Sequence, residues 1–461
     1  SIMDASHVDE LTAYAAIDTM RLDDMRPHIY RTRDGGKTWS EIVTGIDSGA
    51  TINVVREDPK RRGMLFAGSE RTVWFSLDDG DHWRSLRLNL PATSIRDLII
   101  KDNDVAVATH GRGFWILDDI SALRQWTATT AATPATLFKP ATATRVRYSM
   151  YTDTPVPPDE PLAENPPDGL PIDYYLAKDA SGPVTLEILT QAGRVVRRYS
   201  STDPVESPKD EGNWPWYWFR PTQPLAARAG LQRFVWDLHF HSPPVATTSL
   251  PISATPRNTV REPRGPWAPP GQYTARLTVD DKTYTQTFDV RMDPRVKTPA
   301  PALAQQHAVS LNLFDAMNEA EVKAATGRAF TDSIAARKAG APGDLPAALD
   351  AFAKKFTALV GGMAGDQGRA AADAIGTITG TLLPIMDVLQ ASDEAPTTQA
   401  LRAADERLRA FAALKAQWTL LATTELTAIN AKLVAAGLAP LKIVDVKSGA
   451  GFTGPAGGNE E

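Results

Sequence analysis

The chain contains no cysteine, and this excludes disulfide bonds, thiolate catalysis and cysteine-ligated zinc. Basic residues are not in excess, since 49 Lys and Arg stand against 55 Asp and Glu, whereas a nucleic-acid surface needs the opposite balance. The longest apolar run, residues 374–386, is too short to span a bilayer and contains Gly and Pro. We therefore expect no nucleic-acid partner and no membrane span, and the sequence shows no motif for a cofactor or metal.

An N-terminal leader is also missing, because the chain opens at Ser1 without a charged segment followed by an apolar one. Either a leader has been removed or the chain is the C-terminal part of a longer protein, and the repeats described below favour the second reading. The lack of cysteine is compatible with a secreted or periplasmic bacterial protein. We expect that location.

The length of 461 residues predicts about three domains, and the hydrophobic pattern changes twice along the chain. Short strands with Gly, Asp and Asn turns dominate the first part, strands return after a Pro/Thr/Ala-rich stretch, and helical stripes follow. A hairpin is predicted around Asp280 and Asp281, and Gly437 is predicted to end the last helix. The predicted divisions are a partial β-propeller (1–126), an extended linker (127–170), an immunoglobulin-like β-sandwich (171–297), an α-helical bundle (298–441) and a tail (442–461).

One turn sequence occurs twice, 44 residues apart, in "YRTRDGGKTW" and "VWFSLDDGDHW". In each copy the Asp can accept backbone N–H bonds of its own turn, the Gly permits positive φ, and the Trp can pack between strands. The role predicted for these residues is therefore structural and not catalytic. The two sets are Thr32, Asp34, Gly36 and Trp39, then Ser76, Asp78, Gly80 and Trp83.

The repeated turn resembles the Asp-box, or BNR repeat, of sialidase-type propellers. Repetition at 40–45 residues with about four strands per unit is typical of propeller blades, and "GRGFWILDD" is a third, degenerate copy. These segments, together with "RFVWDLHF" and "GQYTARLTVDDKTYTQTFDVRMDPRV", are similar to the C-terminal part of bacterial sortilin-like BNR-repeat proteins, which are often catalogued as glycosyl hydrolases. The resemblance implies a propeller with its boxes away from the active face.

Candidate site residues lie in the loops that we expect at the opposite rim, residues 18–28, 68–71 and 109–113. Arginine clusters can hold the carboxylate of an acidic sugar, whereas glycoside hydrolysis needs two carboxyl groups. Solvated loop charges are the third reading. The candidates for ligand binding are Arg21, Arg71, His110 and Arg112. The candidates for catalysis are Asp23, Asp24 and Glu70.

Two weaker candidates lie downstream. His239 and His241 share a strand face and could begin a metal site, but no third ligand is evident, so a structural role is favoured. The aromatic run at 213–221 could stack sugars, although such clusters more often cover a core or a domain interface.

The function we predict is a glycan- or protein-binding or assembly module. A sialidase-like glycoside hydrolase is the alternative, and a part of a receptor or secretion assembly comes third. Nearly three blades cannot close a propeller, which needs four to eight, so we expect another polypeptide, or an N-terminal fragment of the same precursor, to supply the rest. The competing reading is that the strands close as a small sandwich.

Overall fold

The computed structural model describes residues 2–148, 165–205, 215–244, 257–361 and 374–446, with residues 157, 159, 160, 163 and 255 between these ranges. The chain divides into two compact units. Unit 1 comprises Ser1–Ala141, Glu164–Asp179 and Arg228–Val235, and unit 2 comprises Thr142–Ala163, Ala180–Ala227 and Trp236–Glu461. Within the described residues, no helix is both long and apolar enough to cross a membrane.

Unit 1 contains three successive antiparallel meanders, in which each strand pairs with the next along the chain. The first is β1 (Ile2–Ala5), β2 (Ala13–Ala16), β3 (Ile29–Thr32) and β4 (Ser40–Glu41). The second is β5 (Ile52–Glu57), β6 (Leu65–Ser69), β7 (Val73–Ser76) and β8 (Arg84–Ser85). The third has three strands, β9 (Ile95–Lys101), β10 (Asp104–Thr109) and β11 (Phe114–Leu117), and is followed by α1 (Ser121–Gln125) and α2 (Ala128–Ala132).

Successive side chains of a strand point to opposite faces of its sheet, and these strands carry apolar residues on both faces. The meanders therefore stack through two apolar layers. One layer joins the first and second meanders, and the other joins the second and third. The first layer comprises Tyr14, Ala16, Ile29, Ile42, Ala50, Ile52, Val55, Leu65, Ala67, Trp74 and Trp83. The second comprises Val54, Met64, Phe66, Val73, Leu90, Ile95, Leu98, Val105, Val107 and Ile120. Strands of this length, order and stacking fit a partial propeller.

A separate three-stranded sheet of unit 1 has the order β12 (Ala135–Leu137), β14 (Leu170–Leu176), β17 (Gly230–Trp236). Asp173 in β14 is almost fully buried and accepts from Nε of Arg233 in β17 at 2.8 Å. This ion pair satisfies a carboxylate that burial would otherwise destabilise.

Unit 2 contains a five-stranded sheet, and its strands, in spatial order, are β13 (Ala143–Arg145), β19 (Lys282–Met292), β18 (Gly271–Val279), β15 (Thr185–Thr190) and β16 (Val195–Ser200). The predicted hairpin is confirmed, since Val279 pairs with Lys282 across Asp280 and Asp281, which both have positive φ. That conformation is typical of a two-residue hairpin turn.

The helical region of unit 2 is confirmed. It comprises α3 (Ala300–Lys338), α4 (Leu345–Val360), α5 (Ile378–Gln390), α6 (Thr398–Leu420) and α7 (Leu426–Ala435). The last two form one stripe through a π-helical turn, Leu421–Glu425, which matches the five-residue step between the buried Leu421 and Leu426. Gly437 has φ +70° directly after α7, as predicted for its end.

The immunoglobulin-like sandwich stays a prediction, because β14 and most of β17 belong to unit 1 whereas β15, β16, β18 and β19 belong to unit 2. In the predicted linker, the described part contains α2, β12 and β13. The predicted tail is described only as far as residue 446. The fold is therefore a mixed β and α structure with a helical C-terminal region.

Candidate functional site

The three candidate rim loops each join the second and third strands of their meander, and the first two are also bonded to the segment that begins the next meander. The hydroxyl of Thr51, just before β5, donates to the carbonyl of Met25 at 3.1 Å, and the amide of Glu70 donates to the carbonyl of Thr51 at 3.0 Å. Likewise, the amide of Thr93 donates to the carbonyl of Arg71 at 3.3 Å. These bonds connect the first loop to the second through Thr51, and the second loop to the start of the third meander.

Asp24 is held as a carboxylate. Arg26 donates two hydrogen bonds to it, from Nη2 to Oδ2 at 2.7 Å and from Nε to Oδ1 at 2.9 Å. Nε2 of His28 lies 3.1 Å from Oδ2. These bonds, the one from Arg26 foremost, hold the pKa of Asp24 well below its usual range. A carboxyl group that stays ionised cannot serve as the general acid of glycoside hydrolysis.

Glu70 is also engaged. Its Oε1 accepts from Nδ2 of Asn53 at 3.0 Å and lies 3.1 Å from Nη1 of Arg96. Asp23 is exposed, with φ +59° at the end of a short 3₁₀ helix. Of the three candidate carboxylates, Asp24 and Glu70 are thus each engaged by an arginine, and Asp23 is exposed at the surface.

The candidate ligand-binding side chains are exposed. Arg21, Arg71 and Arg112 stand in three successive loops, and none of them forms an ion pair with another described residue. His110 is exposed beside them, and its backbone amide donates to the carbonyl of Ser94 at 2.9 Å. The three guanidinium groups are therefore without an ion-pair partner among the described residues.

The first Asp-box directs its polar atoms into its own turn. Oδ1 of Asp34 accepts from the hydroxyl of Thr32 and from the amides of Lys37 and Thr38, each at 2.9 Å, while Oδ2 accepts from the hydroxyl of Thr38 at 2.7 Å. The hydroxyl of Thr32 in turn accepts from the amide of Gly36 at 2.9 Å. These bonds, with that from the Thr38 side chain first, lower the pKa of Asp34 to about 2.

The second box repeats this pattern. The hydroxyl of Ser76 donates to Oδ1 of Asp78 at 2.8 Å and accepts from the amide of Gly80 at 2.9 Å. His82 takes the place of the Thr in the first box, with its amide donating to Oδ1 of Asp78 at 2.9 Å and its Nδ1 lying 2.8 Å from Oδ2. Neither box offers a free carboxylate to a substrate.

The two box tryptophans differ in their surroundings. Trp83 is 3% exposed and donates its indole N–H to the carbonyl of Ile42 at 2.8 Å, across the layer between the first two meanders. Trp39 is 38% exposed, so the predicted packing between strands is realised at Trp83 and only in part at Trp39.

An apolar patch is exposed on the third meander, and its residues were not named from the sequence. Ile99 and Ile116 flank Ala106 on one face of the sheet, and Phe114 follows on the same face. Their exposed fractions are 54%, 60% and 84%, respectively. The sequence feature that could have indicated this patch is the run of four apolar residues in β11. Because successive side chains of a strand point to opposite faces, such a strand is apolar on both faces.

A buried ion pair in unit 1 was also missed. Asp58 is fully buried, and its Oδ2 lies 2.8 Å from Nη2 of Arg124. Its Oδ1 accepts from the amides of Lys60 and Arg61 at 2.8 Å, so the carboxylate is fully used in structure.

The candidates of unit 2 have structural partners. Nδ1 of His239 lies 2.7 Å from the carbonyl of Asp237, and its ring lies 3.8 Å from that of Trp267; Nδ1 of His241 lies 3.0 Å from the carbonyl of Ser242. Among the residues that the structure describes, no group of three metal-ligating side chains occurs. In the aromatic run, residues 213 and 214 lie outside the described residues, and Trp216 is half exposed.

No family model matches the chain, and no curated protein matches it. Two solved structures of propeller proteins are similar to parts of it. An ancestral GH74 enzyme is 17% identical over 24% of this chain and 13% of its own, with a TM-score of 0.21. A structure of YCF48 bound to D1 peptide is 10% identical over 44% of this chain and 54% of its own, with a TM-score of 0.20. The chain thus spans less than two thirds of either, and likenesses this weak indicate no function.

Proposed function

We propose that this chain is a propeller-type binding and assembly module whose meander stack is completed by further β-meanders from another polypeptide. The observation that carries the proposal is the exposure of apolar side chains at both ends of the stack. Met3 and Trp39 are exposed at one end, and Ile99, Phe114 and Ile116 at the other.

Covering these faces is favourable. Full burial of one large apolar side chain stabilises a structure by about 1.5–3 kcal/mol relative to leaving it in water. Exposed apolar patches on soluble proteins mark interaction sites. A propeller closes only when each blade is covered on both sides, and this requires more blades than the three meanders of unit 1.

The size of natively purified protein tests this function. The protein is purified without denaturant at physiological salt concentration. Light scattering is then expected to show the 49.9 kDa chain in a larger complex. A stable species near that mass, with no tendency to associate, would contradict the proposal. We keep the expectation of a secreted or periplasmic location, which fractionation of the source cells tests.

A second function is favoured by the cationic edge. Arg21, Arg71 and Arg112 are exposed in three successive loops and form no ion pair with another described residue, and guanidinium groups match carboxylates in geometry. An acidic glycan is therefore the ligand class that this edge fits best. We favour binding over hydrolysis, because Asp24 and Glu70 are engaged by Arg26 and Arg96.

A glycan array with a hydrolysis screen separates the two modes on this edge. Binding of acidic glycans that weakens in an Arg71→Gln variant is expected, without release of free sugar. Turnover of an oligosaccharide that is abolished by Asp24→Asn or Glu70→Gln would establish the hydrolase instead.

A further inference from the structure

The first two meanders can be superposed residue by residue through their sequence and register. The boxes are offset by 44 residues, so Trp39 corresponds to Trp83. Ala15 pairs with Tyr30 in the first meander as Ala67 pairs with Trp74 in the second. We call the face on which these residues lie the leading face. In the first meander it comprises Met3, Ala13, Ala15, Tyr30 and Trp39, and in the second Val55, Leu65, Ala67, Trp74 and Trp83.

The leading face of the second meander is covered by the opposite, trailing face of the first. All five of its residues are at most 5% exposed. Trp83 is fixed by two bonds, from Nε1 to the carbonyl of Ile42 at 2.8 Å and from its amide to the carbonyl of Thr44 at 2.9 Å. Gly80 lies so close to Ile42 that an added Cβ would overlap its side chain. The covering side chains are Tyr14, Ala16, Ile29 and Ile42.

The leading face of the first meander carries the equivalent residues, and no sheet among the described residues covers it. Trp39 is 38% exposed and Met3 is 61% exposed. A Cβ on Gly36, which corresponds to Gly80, would meet only the indole of Trp39, at 4.0 Å. The equivalent residues of the second meander show what this face accepts, because stacked repeats contact their neighbours through the same surfaces.

We infer that the leading face of the first meander docks the trailing face of a four-stranded β-meander on another polypeptide, an inference that rests on the proposed function. The partner must supply a backbone carbonyl just after its fourth strand, as Ile42 does for Trp83. A second copy of this chain does not supply it through its free end. Its third meander stops after three strands and enters the helix Ser121–Gln125.

The charges between the first two meanders indicate which residue the partner can carry at one position of its docking face. Between the first two meanders, Arg31 reaches Asp79 at 3.2 Å and Asp81 at 3.0 Å. The positions equivalent to these two acids on the first meander are Gly35 and Lys37. An arginine at the position of Arg31 would face a lysine there, so the partner carries an acidic or neutral residue at that position.

The chain itself provides a probe for this docking. A copy of residues 2–53 is joined ahead of Ile2 in the full chain, which preserves the register because Ile2 corresponds to Val54. The copy carries Trp39→Phe, so that the Trp39 of the full chain is the one whose oxidation is measured. It also carries Arg31→Glu, so that an acidic side chain of the copy faces Lys37 of the full chain. Hydroxyl-radical oxidation of Trp39, measured by mass spectrometry, is expected to slow roughly tenfold, as its exposure falls from 38% toward the 3% of Trp83.

Two matched copies serve as controls. A copy that keeps Arg31 should protect Trp39 less than the copy with Arg31→Glu, and a copy with Ile42→Asp should not protect it. Hydrogen exchange reports whether the added strands form. If Trp39 oxidises as fast as in the unextended chain, the inference is overturned, whether or not the added strands form.

The native complex distinguishes this inference from the proposed function. In a natively purified assembly, Trp39 should be protected from oxidation and become reactive when the partner is removed. An assembly in which Trp39 remains reactive, or one built only of second copies of this chain, would refute the inference and leave the assembly function standing. Protection by the added copy together with a solitary native chain would refute the assembly function, and would show only that the leading face can accept a four-stranded meander.

Discussion

Trp83 reaches across the first two meanders and donates its indole N–H to the carbonyl oxygen of Ile42 at 2.8 Å. The bond lies in a layer where both residues are at most 5% exposed. Forty-four residues earlier, Trp39 has the same place in the same turn and a far more open surface. One motif thus contributes differently to stability at its two positions, according to what lies against it.

Substituting each tryptophan with phenylalanine measures this difference. Trp83→Phe keeps most of the ring but leaves the buried carbonyl of Ile42 without its donor, which is expected to lower the free energy of unfolding by about 1–3 kcal/mol. Trp39→Phe is the matched control, with an expected change of about 0.5 kcal/mol or less. Urea denaturation of the two variants gives both values. Equal losses would show that the two turns are packed alike.

The buried pair of Asp58 and Arg124 should be costly to break. Arg124→Met leaves a fully buried carboxylate with only backbone donors, and we expect a loss of about 3–5 kcal/mol in the free energy of unfolding. Arg62→Met is the control, because Arg62 and its partner Asp9 lie at the surface, where an ion pair contributes at most about 1 kcal/mol. A small loss in the Arg124 variant would mean that water reaches Asp58.

His28 gives the first meander a pH dependence. Its Nδ1 lies 2.8 Å from Glu41 and its Nε2 lies 3.1 Å from Asp24, and these bonds, with that to Glu41 first, raise the pKa of His28 above its usual 6.5. A raised pKa stabilises the fold fully below the unfolded-state value, and the effect is lost as pH rises through the folded-state value.

Thermal unfolding at several pH values tests this sign. The stability advantage of the native chain over His28→Gln should be largest between about pH 4, where Asp24 is ionised also in the unfolded chain, and about pH 6.5, and should shrink at higher pH. Glu41→Gln should reduce the same dependence. An advantage that grows toward pH 8 would contradict the assignment.

The elements with a regular local signal could be predicted from the sequence. The box spacing and the short strands predicted the meanders, and the apolar stripe predicted the last helices. The π-helical turn at the five-residue step between Leu421 and Leu426 was not predicted. The hairpin at Asp280 and Asp281 followed from a two-residue turn between alternating strands. In each case, the residues that decide the structure are close in sequence.

What depends on distant partners could not be predicted. The exposure of Trp39 is set by the absence of a covering sheet among the described residues, and Trp39 shares its motif with Trp83. The engagement of Glu70 depends on Arg96 and Asn53, which lie on other strands. A list of loop charges therefore named candidate residues without showing which were free.

Asp393 holds two arginines of unit 2. It forms ion pairs with Arg145 and, at 3.0 Å, with Nε of Arg147, and burial lowers the pKa of both guanidinium groups. Asp393→Asn would leave the buried Arg145 and the half-buried Arg147 without their counter-charge, and we expect a loss of about 3–5 kcal/mol in the free energy of unfolding.

The control for this variant is Asp405→Asn, which breaks an exposed pair with Arg409 four residues away on the same helix. Its expected cost is about 0.5 kcal/mol or less. Hydrogen exchange on the strand Ala143–Arg145 should rise in the Asp393 variant and remain unchanged in the control. Equal exchange in both would show that the buried pair does not hold the strand.

The outer face of the third meander should govern association without governing folding. Phe114 is 84% exposed, so Phe114→Ser removes a side chain with few neighbours, and the free energy of unfolding of the isolated chain should change by about 0.5 kcal/mol or less. The same variant should weaken assembly, because it takes the largest apolar group from the face that a further meander would cover.

Leu98→Ala is the opposite control. Leu98 lies on the other face of the same sheet at 1% exposure, and its truncation should lower the free energy of unfolding by about 2–5 kcal/mol while leaving the outer face intact. Urea denaturation and light scattering on both variants separate the two effects. If Phe114→Ser destabilised the isolated chain as much as Leu98→Ala does, the face would already be covered within the chain, and it could not be the place where another polypeptide docks.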